Sequence, residues 1–224
     1  MNSPVLNIAI DGPASSGKGT VARMVAQKLG FQYIDTGAMF RSVAVEAMAQ
    51  NVDMQDEDRL RSIAQSMSFR FEWGNGTLRL ITNGQDITDA IRTETVGAMA
   101  SALGVHLSVR KELLRHQQML AANGGVVMDG RDVGTVVLPD ARLKIYLDAS
   151  VSVRAERRMK DLHTQGIRTD LETLIGEIEA RDHQDKNRKH APLSQASDAI
   201  YIDSTNMSPE EATQRIVDLA RSRA

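Results

Sequence analysis

The chain has 224 residues with Lys+Arg 27 against Asp+Glu 29, a formal net charge of -2, and 42% hydrophobic and 25% charged residues. These are globular averages at a length that suits one α/β domain with a sizeable core, and they exclude disordered, collagenous and coiled-coil chains. The chain offers no global cationic field for nucleic acid or lipid, no cysteine for disulfides, thiolate catalysis or zinc, and only five His without metal-ligand spacing.

An apolar run at residues 5–10 is followed by a glycine-containing loop and a helical pattern on Val21, Val25 and Leu29 that stops at Gly30. Residues 31–35 read as a second strand, and residues 39–48 are apolar at helical spacing on Phe40, Val43, Ala44 and Ala47. Short apolar runs at 126–129, 143–147 and 199–202, with helical segments between or after them, complete the pattern of a five-stranded parallel sheet flanked by helices. The last helix opens on a capping box, Ser208 with Glu211, and Pro209 at its first position.

One stretch breaks the alternation. Residues 69–73 and 77–82 alternate in polarity and are joined through Asn75-Gly76, and Asn83-Gly84 leads into residues 85–88, so an inserted antiparallel meander is expected. Helices over 56–67 and 88–103 should flank it in the same lobe. No repeat or low-complexity linker marks a second independent domain. No run reaches the ~18 apolar residues of a membrane span, and the first residues lack a cationic leader pattern, so a cytoplasmic protein without membrane or nucleic-acid partners is expected.

The strongest chemical signal is the loop Gly12, Pro13, Ala14, Ser15, Ser16, Gly17, Lys18, Gly19 and Thr20, set between the first strand and the first helix. Successive backbone N–H groups and the positive helix end would cradle anionic oxygens, and Lys18 would meet the β/γ-phosphates of a nucleoside triphosphate. The common pattern places Ser or Thr directly after the lysine. Here Gly19 intervenes, which displaces the Thr20 hydroxyl that would hold Mg²⁺. The alternative is a glycine-rich turn without ligand.

Phosphoryl transfer would need a second cationic cradle for the acceptor. Arg41 follows the second strand, and Arg131 with Asp132 follows the third parallel strand, at the sheet edge where such folds place ligands. Arg181, Asp185 and Arg188 share one helical face, and Arg154, Arg157 and Arg158 another. Arg181 with Asp185 and Arg157 with Asp161 could equally be solvated i,i+4 pairs on the surface.

The segments GPASSGKGT, DTGAMFR, MDGRDVGTVVLPDA, KIYLDAS, RAERRMK and EARDHQDKNRKHAPL together resemble bacterial cytidylate kinases, nearly end to end. The resemblance implies a P-loop nucleoside monophosphate kinase fold with an inserted antiparallel substrate-binding lobe and a helical lid. Its expected division is a core over 1–55, 104–150 and 190–224, a lobe over 56–103 and a lid over 151–189. The implied activity is transfer of the γ-phosphoryl of ATP to CMP or dCMP, with Mg²⁺. A monomer is expected, since lobes that close around substrates need freedom and no exposed apolar stripe stands out.

By position, the resemblance assigns the cytosine to Ser101, Arg110 and Asp132 with Arg188 nearby, the ribose to Arg181 and Asp185, and the monophosphate to Arg41, Arg131 and Thr36. Lys18, Arg131 and Arg157 would be catalytic, and Arg157 would also reach ATP from the lid. The polarity is suitable, since a carboxylate can accept from the cytosine amino group and uracil presents the opposite polarity there. Thr36 stands where the family often has Ser, which keeps the hydroxyl but restricts its rotamer. A kinase for AMP, UMP or a small metabolite, or a nucleotide-driven switch, would share the phosphate loop, but a switch would leave the second arginine cluster without a ligand.

Overall fold

The computed structural model describes residues 6–74, 77–164 and 166–223. In chain order the elements are β1 (Ile8–Asp11), α1 (Lys18–Leu29), β2 (Gln32–Asp35), α2 (Thr36–Ala49), α3 (Glu57–Ser66), β3 (Phe69–Gly74), β4 (Thr77–Thr82) and β5 (Gln85–Asp86). They continue through α4 (Glu94–Leu103), α5 (Leu107–Ala121), β6 (Val126–Gly130), β7 (Leu143–Asp148), α6 (Val151–Thr164), α7 (Leu171–Asn187), β8 (Ile200–Asp203) and α8 (Pro209–Arg221). The chain divides into two compact units, Met1–Tyr33 with Gly124–Ala224, and Ile34–Asn123.

The first unit is built on a five-stranded sheet in the order β2-β6-β1-β7-β8. β1 lies parallel to both β6 and β7, and β7 to β8. Ile8, Ile10, Met128, Leu143, Ile145, Leu147 and Ile202 are fully buried, as strands covered on both faces require, and this is why residues 8–10 and 126–128 read as unbroken apolar runs. The first strand runs Ile8–Asp11 rather than stopping at Ile10, because Asp11 pairs in register with Gly130 of β6 and Tyr146 of β7. α8 carries the expected capping box between Ser208 and Glu211 and packs on α1. α6 and α7 pack on each other around a cluster of Ala155, Leu162, Leu174 and Ile178.

Between β6 and β7 the chain makes a turn of π-helix over Val133–Val137, in a segment whose sequence carries no helical signal. Such turns recur at functional sites.

The second unit holds the expected meander, a three-stranded antiparallel sheet in the order β3-β4-β5, with Phe69 opposite Thr82 and Trp73 opposite Leu78. The expected Asn75-Gly76 turn lies outside the described residues. The unit extends beyond the lobe anticipated at 56–103, because α3 packs on α5 and α2 on α4, drawing residues before and after the meander into one body. The single helix expected over 88–103 is broken: a short 3₁₀ turn at Ala90–Arg92 ends at Thr93, whose hydroxyl accepts from Val96 N–H and starts α4 afresh. Among the described residues, no helix is long and apolar enough to cross a membrane.

Candidate active site

The loop between β1 and α1 closes with Gly17 in the left-handed region at φ 86, as the N-cap of a helix whose first residue is Lys18. At Gly12 the constraint is contact instead: a Cβ there would sit 2.1 Å from the Leu147 carbonyl oxygen of β7. Only glycine lets the loop leave β1 so close to the neighbouring strand. No acidic residue occupies the first turn of α1, so its free N–H groups and positive end are left for an anion.

Lys18 lies buried within this loop, its Nζ donating to the Pro13 carbonyl at 2.9 Å. Burial first, and then the charge of Arg131, pull its pKa down to about 7, with Arg181 adding to the effect. The Ser16 hydroxyl is buried without a hydrogen-bond partner among the described residues. Thr20 is exposed in the first turn of α1.

The two arginines expected on a solvated or lid-like face are structural neighbours of the loop. Arg154 is only 4% exposed; its guanidinium pairs with Asp182 of α7 at 2.7 Å and donates to the carbonyls of Ala149 and Ala14, both at 2.9 Å. Asp182 in turn accepts from Ala14 N–H at 3.2 Å, so this buried pair holds Ala14 by both its backbone groups. Arg157 donates to the Ser16 carbonyl at 3.0 Å and to the hydroxyl and carbonyl of Ser204 at 3.2 and 2.7 Å. Half-burial lowers its pKa. Neither side chain forms a solvated ladder with Asp161, because the loop carbonyls offer buried acceptors that water does not reach.

A second constellation forms where β6 ends. Arg131 Nε donates to Asp185 Oδ2 at 2.7 Å, Arg188 approaches Asp132 at 3.3 Å and Asp185 at 3.6 Å, and Asp132 and Asp185 are buried. Burial pushes the Asp185 carboxyl up, but the charge and hydrogen bond of Arg131, with Arg181 and Arg188, hold it below the usual carboxylate range. Arg181 and Asp185 lie on α7, but Arg188 is its C-cap in extended conformation, so the three do not form one helical face; it is Asp185 and Arg188 that meet Arg131 and Asp132, the residues following β6. Asp129 accepts from the Tyr33 hydroxyl at 2.7 Å.

In the second unit, Thr36 is buried at the first position of α2, whose N-cap Asp35 accepts from Ala38 N–H at 2.8 Å. Arg41 and Ser101 are half-buried on α2 and α4. Arg110 donates to the Gly104 carbonyl at 3.2 Å and stacks over the Phe40 ring at 5.4 Å.

Three participants escape a reading of spacing alone. Asp182 looks like one more acid on a helix, Ser204 like one residue of a loop after β8, and Asp11 like the end of a strand. For Asp11 a signal existed: a charged residue closing an apolar strand, just before a phosphate loop, needs a buried partner.

A parallel sheet in this order, with a glycine-shaped anion loop after its first sequential strand and an inward-facing lysine opening the next helix, defines a P-loop nucleotide kinase fold. Cations gathered at the end of β6 fit a kinase whose acceptor is itself anionic. A family model described as "Cytidylate kinase" matches residues 8–222, and the chain belongs to that family. It is 46% identical over 214 residues to cytidylate kinases of Bacillus cereus (strain ATCC 10987 / NRS 248) and Bacillus thuringiensis (strain Al Hakam), covering 96% of this chain and 95% of each relative.

Among solved structures, an uncharacterized protein from Eubacterium ventriosum aligns over 99% of this chain and all of its own, at TM-score 0.52 and 14% identity. TT1252 from Thermus thermophilus aligns over 98% of both chains at TM-score 0.50 and 16% identity. These two likenesses concern the fold alone.

Proposed function

We propose that the protein transfers the γ-phosphoryl group of ATP to CMP or dCMP, yielding ADP with CDP or dCDP, as a cytoplasmic monomer of pyrimidine nucleotide metabolism. The observation that carries this reading is that β6, which leads into Arg131 and its partner Asp185, lies directly beside β1, which leads into the phosphate loop and Lys18. Lys18 in the phosphate loop feels the charges of Arg131 and Arg181, so the cations for a donor and for an acceptor act on one another. Two polyanions brought to such a place neutralise a repulsion already present, and catalysis of phosphoryl transfer is chiefly positioning and charge stabilisation.

In this reading the loop from Gly12 to Thr20 holds the ATP phosphates, and Lys18 follows the charge as it moves to the leaving β-oxygen. Arg131, Arg41 and Thr36 bind the acceptor monophosphate. Arg181 and Asp185 meet the ribose, and Asp132, Arg188, Arg110 and Ser101 read the cytosine. Asp132 accepts from its amino group, a pairing that uracil does not offer. The hairpin of α6 and α7 is the lid, with Arg157 directed at the transferring group on closure, and the meander belongs to the substrate-binding lobe.

Among the described residues no group of three or more His, Cys, Asp or Glu could hold a metal by itself. This donor set suits a Mg²⁺ that arrives on the nucleotide, with Thr20 as its protein ligand, since Mg²⁺ commonly keeps most of its waters and phosphate oxygens. Bound there, Mg²⁺ would supply charge neutralisation between the phosphates.

A coupled ADP-release assay with CMP, dCMP, UMP and AMP as acceptors tests the reading. Turnover led by CMP and dCMP is expected. Preference for AMP or UMP, or ATP hydrolysis indifferent to any acceptor, would overturn it.

A further inference from the structure

Asp11 closes β1 in the interior of the first unit and is 3% exposed. Its two carboxylate oxygens each accept one backbone N–H, from Val133 and from Gly134, both at 2.7 Å. Those two amides open the π-helical turn, and they directly follow Arg131 and Asp132 in the chain. Asp132 itself has φ -142 and ψ 23, outside the regular regions, so its backbone direction is set by what anchors the residues after it.

The fit at the anchor is tight. A Cβ on Gly134 would lie 3.3 Å from Asp11 Oδ2 and 3.2 Å from Lys144 Cδ, so glycine is what permits the approach. The Lys144 ammonium is not the counter-charge, since it is engaged by Asp198 at 2.9 Å and by the Pro139 carbonyl. Among the described residues this buried carboxylate has no salt-bridge partner, which is costly, and burial, opposed by the Gly134 and Val133 hydrogen bonds, leaves its pKa raised to about 6. Stability alone gives no reason for a charge here.

We infer that Asp11 is a positioning residue for acceptor recognition: by gripping Val133 and Gly134 N–H with both oxygens, it fixes the direction in which Arg131 and Asp132 present their side chains. The inference rests on the reading of Arg131 and Asp132 as acceptor-binding residues. It predicts a role for a residue that touches neither nucleotide. Only an ionised carboxylate offers two acceptors in this geometry; an asparagine of the same shape turns a donor amide towards one of the two N–H groups.

The test is steady-state kinetics of Asp11→Asn and, independently, Gly134→Ala, which presses on the same contact from the other side. KM for CMP should rise about tenfold in each, the scale of one misplaced charged hydrogen bond, with KM for ATP within about twofold of wild type. The preference for CMP over UMP should narrow in parallel. In Asp11→Asn, hydrogen exchange of the Val133 and Gly134 amides should accelerate while that of β7 does not.

A folded variant with CMP preference intact would overturn the role of Asp11 while leaving the acceptor reading standing. Equal losses for CMP and ATP, or a lowered melting temperature with both KM values unchanged, would make Asp11 merely structural and overturn it too. Wild-type enzyme that shows no preference for CMP would instead overturn the acceptor reading, and the inference with it. Should Asp11→Asn fail to fold, Gly134→Ala decides the matter by the same KM split.

Discussion

Arg131 and Asp185 lie 54 residues apart in the chain and meet at 2.7 Å, joining the end of β6 to the last turn of α7. Each is mostly buried, with side chains 17% and 11% exposed. An arginine proposed to bind the acceptor phosphate is thus already oriented by a carboxylate, which restricts its rotamers before any anion arrives. Asp185 has Arg188 as a second partner at 3.6 Å, so a phosphate can share Arg131 without stranding the carboxylate.

Lys18→Ala should lower turnover by at least ~10²-fold, the scale on which one preorganised charge at a developing anion counts. The fold should survive, because among the described residues the lysine head group gives up a single hydrogen bond, to Pro13 O. Turnover of the purified variant with its circular dichroism spectrum checks this; near-normal turnover in a folded sample would remove Lys18 from catalysis.

Nucleotide binding should take up a proton at mildly alkaline pH. With its pKa near 7, well below the ordinary 10.5, free Lys18 is mainly neutral at pH 8. An arriving polyphosphate favours the ammonium and raises that pKa, so the proton moves from solvent to protein. Calorimetric titration with ATP in buffers of different ionisation enthalpy should show uptake at pH 8 that fades below pH 7. Binding with no buffer dependence at pH 8 would contradict it.

Asp132→Ala should weaken CMP more than ATP by about 1 to 3 kcal/mol, because it removes an acceptor and also the partner that Arg188 approaches at 3.3 Å. Equilibrium binding of each nucleotide separately is the measurement. Equal losses would assign the aspartate to architecture.

Arg157→Ala should reduce kcat more than either KM if closure brings this side chain to the transferring group. It should also lower stability by about 1 to 2 kcal/mol, since three hydrogen bonds to Ser16 and Ser204 disappear. Urea unfolding alongside kinetics separates the two effects. Unchanged kcat with a lowered midpoint would leave Arg157 a brace for the loop and nothing more.

Gly12→Ala should destabilise the protein by more than about 3 kcal/mol, because its Cβ would meet the backbone carbonyl of Leu147, an atom that no rotamer change can move aside. Thermal unfolding checks it, and a melting temperature near wild type would show that β1 and β7 can separate locally.

The sheet was legible because its strands are buried on both faces and so leave apolar runs, as at residues 126–128. The phosphate loop was legible because its glycines and lysine answer local demands of backbone and anion. What spacing could not give is the destination of a side chain across the fold. Arg154 and Arg157 keep the same helical periodicity whether they face water or the carbonyls of Ala14 and Ser16, and only tertiary packing, with Asp182 of α7 beside Arg154 and Ser204 beside Arg157, decides between them. The break at Thr93 and the π-helical turn at Val133–Val137 were hidden for a similar reason: a cap hydroxyl and a distant carboxylate, not local propensity, set them.

The ion pair of Arg154 and Asp182 also constrains how this sequence can drift. Replacing either residue alone leaves the other charge in the interior with nothing to neutralise it, a loss of roughly 3 to 5 kcal/mol, whereas exchanging both for apolar side chains of like volume can be nearly neutral for folding. Folding would tolerate that double exchange, but Ala14 would then lose the side-chain partners of both its N–H and its carbonyl at once. Selection for a stable chain and selection for a well-shaped anion loop therefore pull these two positions in different directions. Only the second keeps them charged.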